Sequence, residues 1–377
     1  MKLVADSASM TAEHAALQEE IREFAEREVA PKASEIDASG SFPWEVYGRV
    51  AEKGLLGFTR PTLRGGDTLG WALVMEEIAA ASATVADVVL LAEMLALILD
   101  EEGTEEQRDR IGPLAAGETL GAFALTEPNA GSDAAAIETR AIREGRGFTL
   151  DGKKAWINNA SVASWAIILA STEPEAGKNG ITAFLVDRGG FSSGESYELM
   201  GQRGIAVGEL YLEGCQVPQS AMVGDSGEGF EIAMRSLDLG RIGIGALAVG
   251  IARAALSSAI EYTTKREQFG KPIAAFQGIR WTIADLATDL EAARGLVHRA
   301  AGLRDAVRPH RREAAMAKLR ASDMAMNLTV EALQLHGGSG YVAGCPAERY
   351  MRDAKITQIY EGTNQILRQV IARETIG

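Results

Sequence analysis

Cysteine is nearly absent from this chain: Cys215 and Cys345 are the only two among 377 residues. Two thiols cannot build a disulfide framework, so both are expected to be free thiols in a reducing compartment. Histidine is scarce as well. His14, His298, His310 and His336 are scattered without metal-ligand spacing, and no protein-held metal is expected. No uncharged apolar run reaches the ~18 residues of a membrane span. The longest apolar stretch, 88–99, contains Glu93. The first ten residues lack a basic region followed by an apolar segment, so secretion is not expected and the chain is placed in the cytoplasm. A strand-bound G-x-G-x-x-G, a P-loop lysine and a G-x-S-x-G elbow are all missing, which counts against nicotinamide, P-loop and hydrolase chemistry on familiar folds.

What is present is a long, apolar-rich chain with an uneven charge. Its length and 46% hydrophobic content suggest two or three domains with substantial cores. The formal net charge of −14 divides into −18 for residues 1–225 and +4 for residues 226–377. The acidic first part argues against nucleic acid as a partner. The mildly basic last part could hold the phosphates of a soluble ligand.

Texture changes twice along the chain. Residues 10–37 read as an amphipathic helix, with Leu17, Ile21, Phe24 and Val29 near helical spacing and Pro31 disturbing its end. Further helices are predicted over 44–53, 69–83, 85–102 and 105–116. Short apolar runs at 121–125, 147–150, 166–170, 182–186 and 208–212, separated by Gly, Asn, Asp and Pro, read as strands. Long helices return over 230–266, 276–306, 312–335 and 365–374. The expected division is 1–118 helical, 119–226 β and 227–377 a helical bundle.

Five segments carry chemistry. Tyr360-Glu361-Gly362-Thr363 sets one carboxylate among aromatic and aliphatic residues. Burial there disfavours the charged form and moves the pKa toward the range of a general base. The plain alternative is a loop glutamate next to the helix that begins near Thr363. Phe123-Ala-Leu125-Thr126-Glu127-Pro128-Asn129-Ala130-Gly131-Ser132-Asp133 ends a strand in a turn that exposes backbone N–H groups and hydroxyls, suited to a phosphate or a ring edge. Lys153-Lys154-Ala155-Trp156-Ile157-Asn158-Asn159 places a flat side chain beside amides. Arg266-Glu267-Gln268-Phe269-Gly270 is the fourth. Gln334-Leu335-His336-Gly337-Gly338-Ser339-Gly340-Tyr341 is the fifth, a helix ending in glycines that permit close backbone approach.

Taken in this order and spacing, the segments resemble the acyl-CoA dehydrogenase family from about Thr11 to the C-terminus. Leu237-Asp238-Leu239-Gly240-Arg241 looks most like its short-chain branch. The resemblance implies an N-terminal helical domain, a middle β-barrel-like domain and a C-terminal four-helix bundle. It implies FAD, an acyl-CoA substrate, a homotetramer or homodimer, and an electron-transferring flavoprotein as acceptor. Phe123, Leu125, Thr126, Ser132, Trp156 and Asn158 would surround the flavin. Arg266, Phe269, Gln277, Gln334, Gly337 and Gly338 would hold its pyrophosphate and adenosine, largely from a neighbouring subunit, with Thr363 and Gln365 completing that site. Ser132, Asp238, Arg241 and Gly362 would line the thioester. Glu361 falls at the position of the family's base, which would take the α-proton while the β-hydrogen leaves as hydride to flavin N5, giving a trans-2-enoyl thioester. A minority branch instead carries its base at the position of Gly240. Two departures stand out: Asn158 where Thr or Ser is common, and a short 64–70 loop. The alternatives are the same flavin chemistry on a carrier-protein-tethered acyl group, and a non-catalytic binding protein derived from the family.

Overall fold

A computed structural model describes residues 10–59 and 66–377. Arg64 and Gly65 of the short loop lie outside the described residues. Its remainder begins a helix: the Asp67 carboxylate accepts from the Gly70 N–H at 2.7 Å and caps Thr68–Ala81.

The first part is helical. Ala12–Phe24 runs through a π turn at Ala25–Val29 and a 3-10 turn at Ala30–Lys32 into Ala33–Ser39. Pro31 therefore distorts a continuing helical path rather than ending it, because it sits where a new turn starts and its missing N–H costs little. Trp44–Glu52, Thr68–Ala81 and Ala83–Glu102 follow. The predicted 105–116 helix is two short ones, Glu105–Arg108 and Ile111–Ala115.

The middle part is an eight-stranded sheet in the order β6-β7-β3-β2-β4-β5-β8, with β1 parallel to β4. The strands are β1 Gly121–Ala124, β2 Arg140–Glu144, β3 Gly147–Ile157, β4 Trp165–Ser171, β5 Ile181–Asp187, β6 Ser192–Ser193, β7 Gly208–Pro218 and β8 Met222–Val223. β4 is buried along its whole length, which its unbroken Trp-Ala-Ile-Ile-Leu-Ala-Ser run anticipates.

The last part packs Gly229–Lys265, Gln277–Asp305, Arg311–His336, Pro346–Ile356 and Asn364–Ile376. Between the first two lies a small hairpin, β9 Glu267–Gln268 with β10 Lys271–Pro272. Gly229–Lys265 is long and apolar enough to cross a membrane by composition, but 78% of its most apolar window is buried in the protein core. It is the bundle's central helix. One continuous core runs from Leu17 through Trp71, Leu95 and Leu247 to Leu328, so the first and last parts share apolar packing. Their polar joint is a buried network. Arg294 donates to Glu76 at 2.8 and 3.0 Å, Arg253 pairs with Glu76 at 3.0 Å and with Glu77 at 2.5 Å, and Arg22 reaches Glu77 at 3.0 Å.

Candidate active site

The Tyr360–Thr363 turn is held in a conformation its residues do not favour. Glu361 has φ of 55° and Gly362 φ of 92°. A left-handed non-glycine residue costs about 1–3 kcal/mol and persists only when its surroundings over-determine it. Here they do. The buried Lys318 ammonium donates to the Gly362 carbonyl at 2.8 Å and to Asn364 Oδ1 at 3.1 Å. Arg241 Nε donates to the Glu361 carbonyl at 3.4 Å. Asn364 donates to Ser322 Oγ at 2.9 Å and Asp323 Oδ1 at 2.7 Å. Thr363 caps the last helix through its hydroxyl, which accepts from Ile366 N–H at 3.3 Å.

These bonds fix the backbone and leave the carboxyl unspent. Glu361 Oε2 is buried with no hydrogen-bond partner among the described residues. The Glu361 carboxyl is pushed up to about 8, first by loss of water and then by the Asp87 carboxylate, against the pull of Arg241 and Lys318. The space in front of it exists because residue 240 is glycine. A Cβ there would stand 2.7 Å from Glu361 Cδ and 2.8 Å from Oε1. Positions 240 and 361 thus address one point, as the two base placements within the resembled family imply.

Two residues that sequence reading did not single out complete this centre. Lys318 is pushed down to about 7 by burial, with Glu361 opposing and Arg241 assisting. Asp87, on Ala83–Glu102, accepts from Asn158 Nδ2 at 2.6 Å. It is pushed up to about 7 by burial, against hydrogen bonds from Tyr360 and Asn158. For Asp87 the available signal was a single carboxylate in an apolar stretch of helix; Lys318, two residues before Arg320 on a charged helix, carried none. Asn158 joins the centre through Asp87.

Of the residues predicted to line the substrate, Arg241 and Gly362 lie beside Glu361. Asp238 is buried between Arg241 Nη1 at 2.7 Å and Arg311 Nε at 2.9 Å, so its carboxylate is spent orienting Arg241. Glu127 is equally committed. It accepts from Lys154 at 2.7 Å, Glu138 N–H at 2.6 Å and Thr139 N–H at 3.0 Å. Lys154 also donates to the Leu125 carbonyl at 3.1 Å, and Ala155 N–H to the Thr126 carbonyl at 2.9 Å. This buried pair ties the turn after β1 to the end of β3. Phe123 is half-buried on β1, and Ser132 is exposed.

Trp156 presents a large ring to solvent. It is 61% exposed, has φ of 60°, and leans on Tyr197 with ring centroids 4.6 Å apart. An exposed indole beside a turn of backbone N–H groups fits the face and edge of a flat heterocycle.

The remaining predicted residues are not brought to this centre within the chain. Arg266, Phe269, Gln277, Gln334, Gly337, Gly338 and Gln365 are all exposed. Phe269 is 93% exposed on the hairpin with φ of 53°. The ends of Gly229–Lys265 and Arg311–His336 meet where Tyr262 stacks on His336 at 4.8 Å, bringing the Arg266 and Gly337 segments to one end of the bundle. A cavity of about 470 Å³ is lined by Ala275, Gln277, Arg280 and Trp281. Among the described residues no cluster of metal-ligating side chains occurs.

Comparison with known proteins finds relatives along the whole chain. Residues 11–118, 122–215 and 227–376 match the family models of the acyl-CoA dehydrogenase N-terminal, middle and C-terminal domains. The short-chain specific acyl-CoA dehydrogenase of Clostridium acetobutylicum is 42% identical over 97% of this chain and 98% of its own. Butyryl-CoA dehydrogenase from Megasphaera elsdenii superposes with a TM-score of 0.95 at 39% identity, covering 99% of this chain and 100% of that one. A glutaryl-CoA dehydrogenase from Mycobacterium smegmatis in complex with FADH2 gives a TM-score of 0.92 at 27% identity over 97% and 95% of the two chains. The helical–β–helical fold, the left-handed turn bearing a buried carboxyl and these full-length matches lead to one conclusion: the chain belongs to the acyl-CoA dehydrogenase family, a family of flavin-dependent oxidoreductases.

Proposed function

We propose that the protein removes the α and β hydrogens of a short acyl-CoA thioester, with Glu361 as the base that takes the α-proton. The observation that carries this is the Glu361 carboxyl, buried, unpartnered at Oε2 and pushed up to about 8. A carboxylate meant only to cap or to pair would be spent, as Asp238 and Glu127 are.

The residues present fit FAD. The Leu125–Ser132 turn and the exposed Trp156 offer a ring platform, and the exposed Arg266 and Gln334–Gly338 segments offer donors for a pyrophosphate. Bound FAD supplies the hydride acceptor. The chain's own residues do the rest. Lys318 and Arg241 hold the turn so that the Glu361 carboxyl stays aimed at the gap left by Gly240. The backbone N–H of Glu361 has no hydrogen bond among the described residues and is free to polarise a thioester carbonyl. Such polarisation lowers the cost of enolate charge as the α-proton leaves. The short acyl group follows from the relatives' specificity. The electron acceptor is read as an electron-transferring flavoprotein, and the assembly as a homodimer or homotetramer in which exposed Arg266 and Gln334–Gly338 reach a neighbour's FAD.

The test is Glu361→Gln. The amide is nearly isosteric, so fold, FAD content and butyryl-CoA binding are expected to persist. Anaerobic flavin bleaching by butyryl-CoA should slow by about 10⁴-fold, the upper end for a positioned general base. Dithionite should still bleach the flavin. A variant bleached by substrate at near the wild-type rate refutes the assignment.

A further inference from the structure

Asp87 is a buried carboxylate with no cation paired to it among the described residues. It is 2% exposed, on a helix whose buried residues are mostly apolar. Burying a carboxylate without a counter-ion is costly. The other buried carboxylate on that helix shows how such a group is ordinarily satisfied: Glu93 accepts from Phe58 N–H at 2.6 Å, from Thr59 N–H at 2.9 Å and from the Thr59 hydroxyl. Asp87 has instead two donors that both belong to the active centre. One is the Asn158 amide at 2.6 Å, at the end of β3. The other is the Tyr360 hydroxyl, from the residue directly before the base. Tyr360 in turn accepts from Gln202 Nε2 at 3.4 Å, and burial followed by the Asp87 charge raises its pKa well above the usual phenol range.

We propose that Asp87 is a positioning residue for Glu361: it anchors the Tyr360–Gly362 turn to Ala83–Glu102 and the end of β3, and it sets a second carboxyl near the base. The charged groups around the pair come from several elements. Arg241 approaches from Gly229–Lys265, but its guanidinium is engaged by Asp238 and the Glu361 carbonyl. Lys318 approaches from Arg311–His336, but its ammonium is engaged by Gly362 and Asn364 carbonyl oxygens. Asn158, Tyr360 and Gln202 are neutral donors. Neither cation forms a salt bridge to either carboxyl among the described residues. Two like charges in such a site cannot both ionise cheaply, so their protons leave in steps that belong to the pair. Asp87 thereby sets how readily Glu361 sheds the proton it must lose before it can act. The coupling falls on the carboxyl that ionises second: the Asp87 charge raises Glu361, whereas Asp87 ionises while Glu361 is still neutral.

That order of ionisation gives the test, and it separates this role from plain structural support. The proposal rests on reading Glu361 as the base, but the measurement does not. Infrared titration of the carboxyl C=O stretch in FAD-loaded protein should show two steps near neutrality. In Asp87→Asn the Glu361 step should fall by about one pH unit or more, the scale of strongly interacting sites. In Glu361→Gln the remaining Asp87 step should stay where it was, because Asp87 ionises first and meets a neutral partner. The pH profile of anaerobic flavin reduction in Asp87→Asn should move with the infrared step. Should Asp87→Asn fail to fold, Asp87→Ser, smaller and equally uncharged, takes its place. An unmoved Glu361 step in the Asp87 variant overturns the proposal. If the Glu361 step falls while Glu361→Gln still reduces flavin at the wild-type rate, the coupling stands and the base assignment falls.

Discussion

Gly240→Ala isolates the placement of the base from every other property of the site. The missing Cβ at 240 would lie 2.7 Å from Glu361 Cδ and 2.8 Å from Oε1. Glu361 Oε2 would come closer still, and carbon and oxygen atoms need roughly 3.5 Å, so the carboxyl must withdraw by more than about 1 Å; a displacement of about 1 Å from a near-attack geometry already costs about 10²-fold in rate. The fold should not suffer comparably. Residue 240 lies inside a long helix, where alanine is favoured over glycine by about 1 kcal/mol. The atoms it would meet are the end of one side chain, not backbone. Gly240→Ala is therefore expected to melt no lower than wild type, to keep FAD, and to lose about 10²-fold in substrate-driven flavin bleaching. Combined with Glu361→Gln it should cost nothing further, because both changes act through one carboxyl. Wild-type bleaching by the alanine variant would refute the geometry. An additive double variant would show that Gly240 acts through something other than the base.

Three more outcomes follow from charge. Glu361 is pushed up to about 8, so kcat/KM should rise with pH through that region and level above it, as measured by steady-state rates; a flat profile from pH ~6 to ~9 would contradict the raised base. Asn158→Thr removes the donor 2.6 Å from Asp87; FAD should remain bound while the flavin potential or oxidase leakage shifts by the equivalent of about 0.5–1.5 kcal/mol, one hydrogen bond, and lost FAD with unchanged reactivity would speak against the placement. Arg294→Met leaves Glu76 with Arg253 alone; the cost by urea unfolding at neutral pH should approach about 3 kcal/mol, the lower end for breaking a buried pair. Although burial opposes it, Arg294 and Arg253 hold Glu76 down at about 2, so its contribution is full above the unfolded value near 4.5 and fades as pH falls toward 2. The difference between variant and wild type should shrink in that acid window, and a difference independent of pH would exclude the ion pair as its source.

The long helices were legible because their apolar periodicity is set by burial against one core. β4 was legible for the same reason. β2 was not: Arg140-Ala-Ile-Arg-Glu is mostly exposed and takes its shape from pairing with β3, a partner the sequence does not announce. Pro346–Ile356 was missed because it buries only Ala347, Asp353 and Ala354. Within the site, Glu361 could be read locally, since its aromatic and glycine neighbours are adjacent in the chain. Asp87 could not. Its meaning depends on Asn158 and Tyr360, which reach it only through the fold. Lys318 is the same case: its ligands are carbonyl and amide oxygens on the turn after residue 361.

The exposure of Arg266, Phe269 and Gln334–Gly338 has a genetic consequence. If each cofactor site draws its base from one subunit and its pyrophosphate donors from another, a substitution at 361 and a substitution at 266 damage different halves of every site. Two inactive alleles, one of each kind, could then rescue each other when co-expressed. In a mixed dimer one site would collect both lesions and the other neither. Such complementation should yield up to half of the wild-type sites in each mixed dimer, whereas two alleles altered on the same half would yield none.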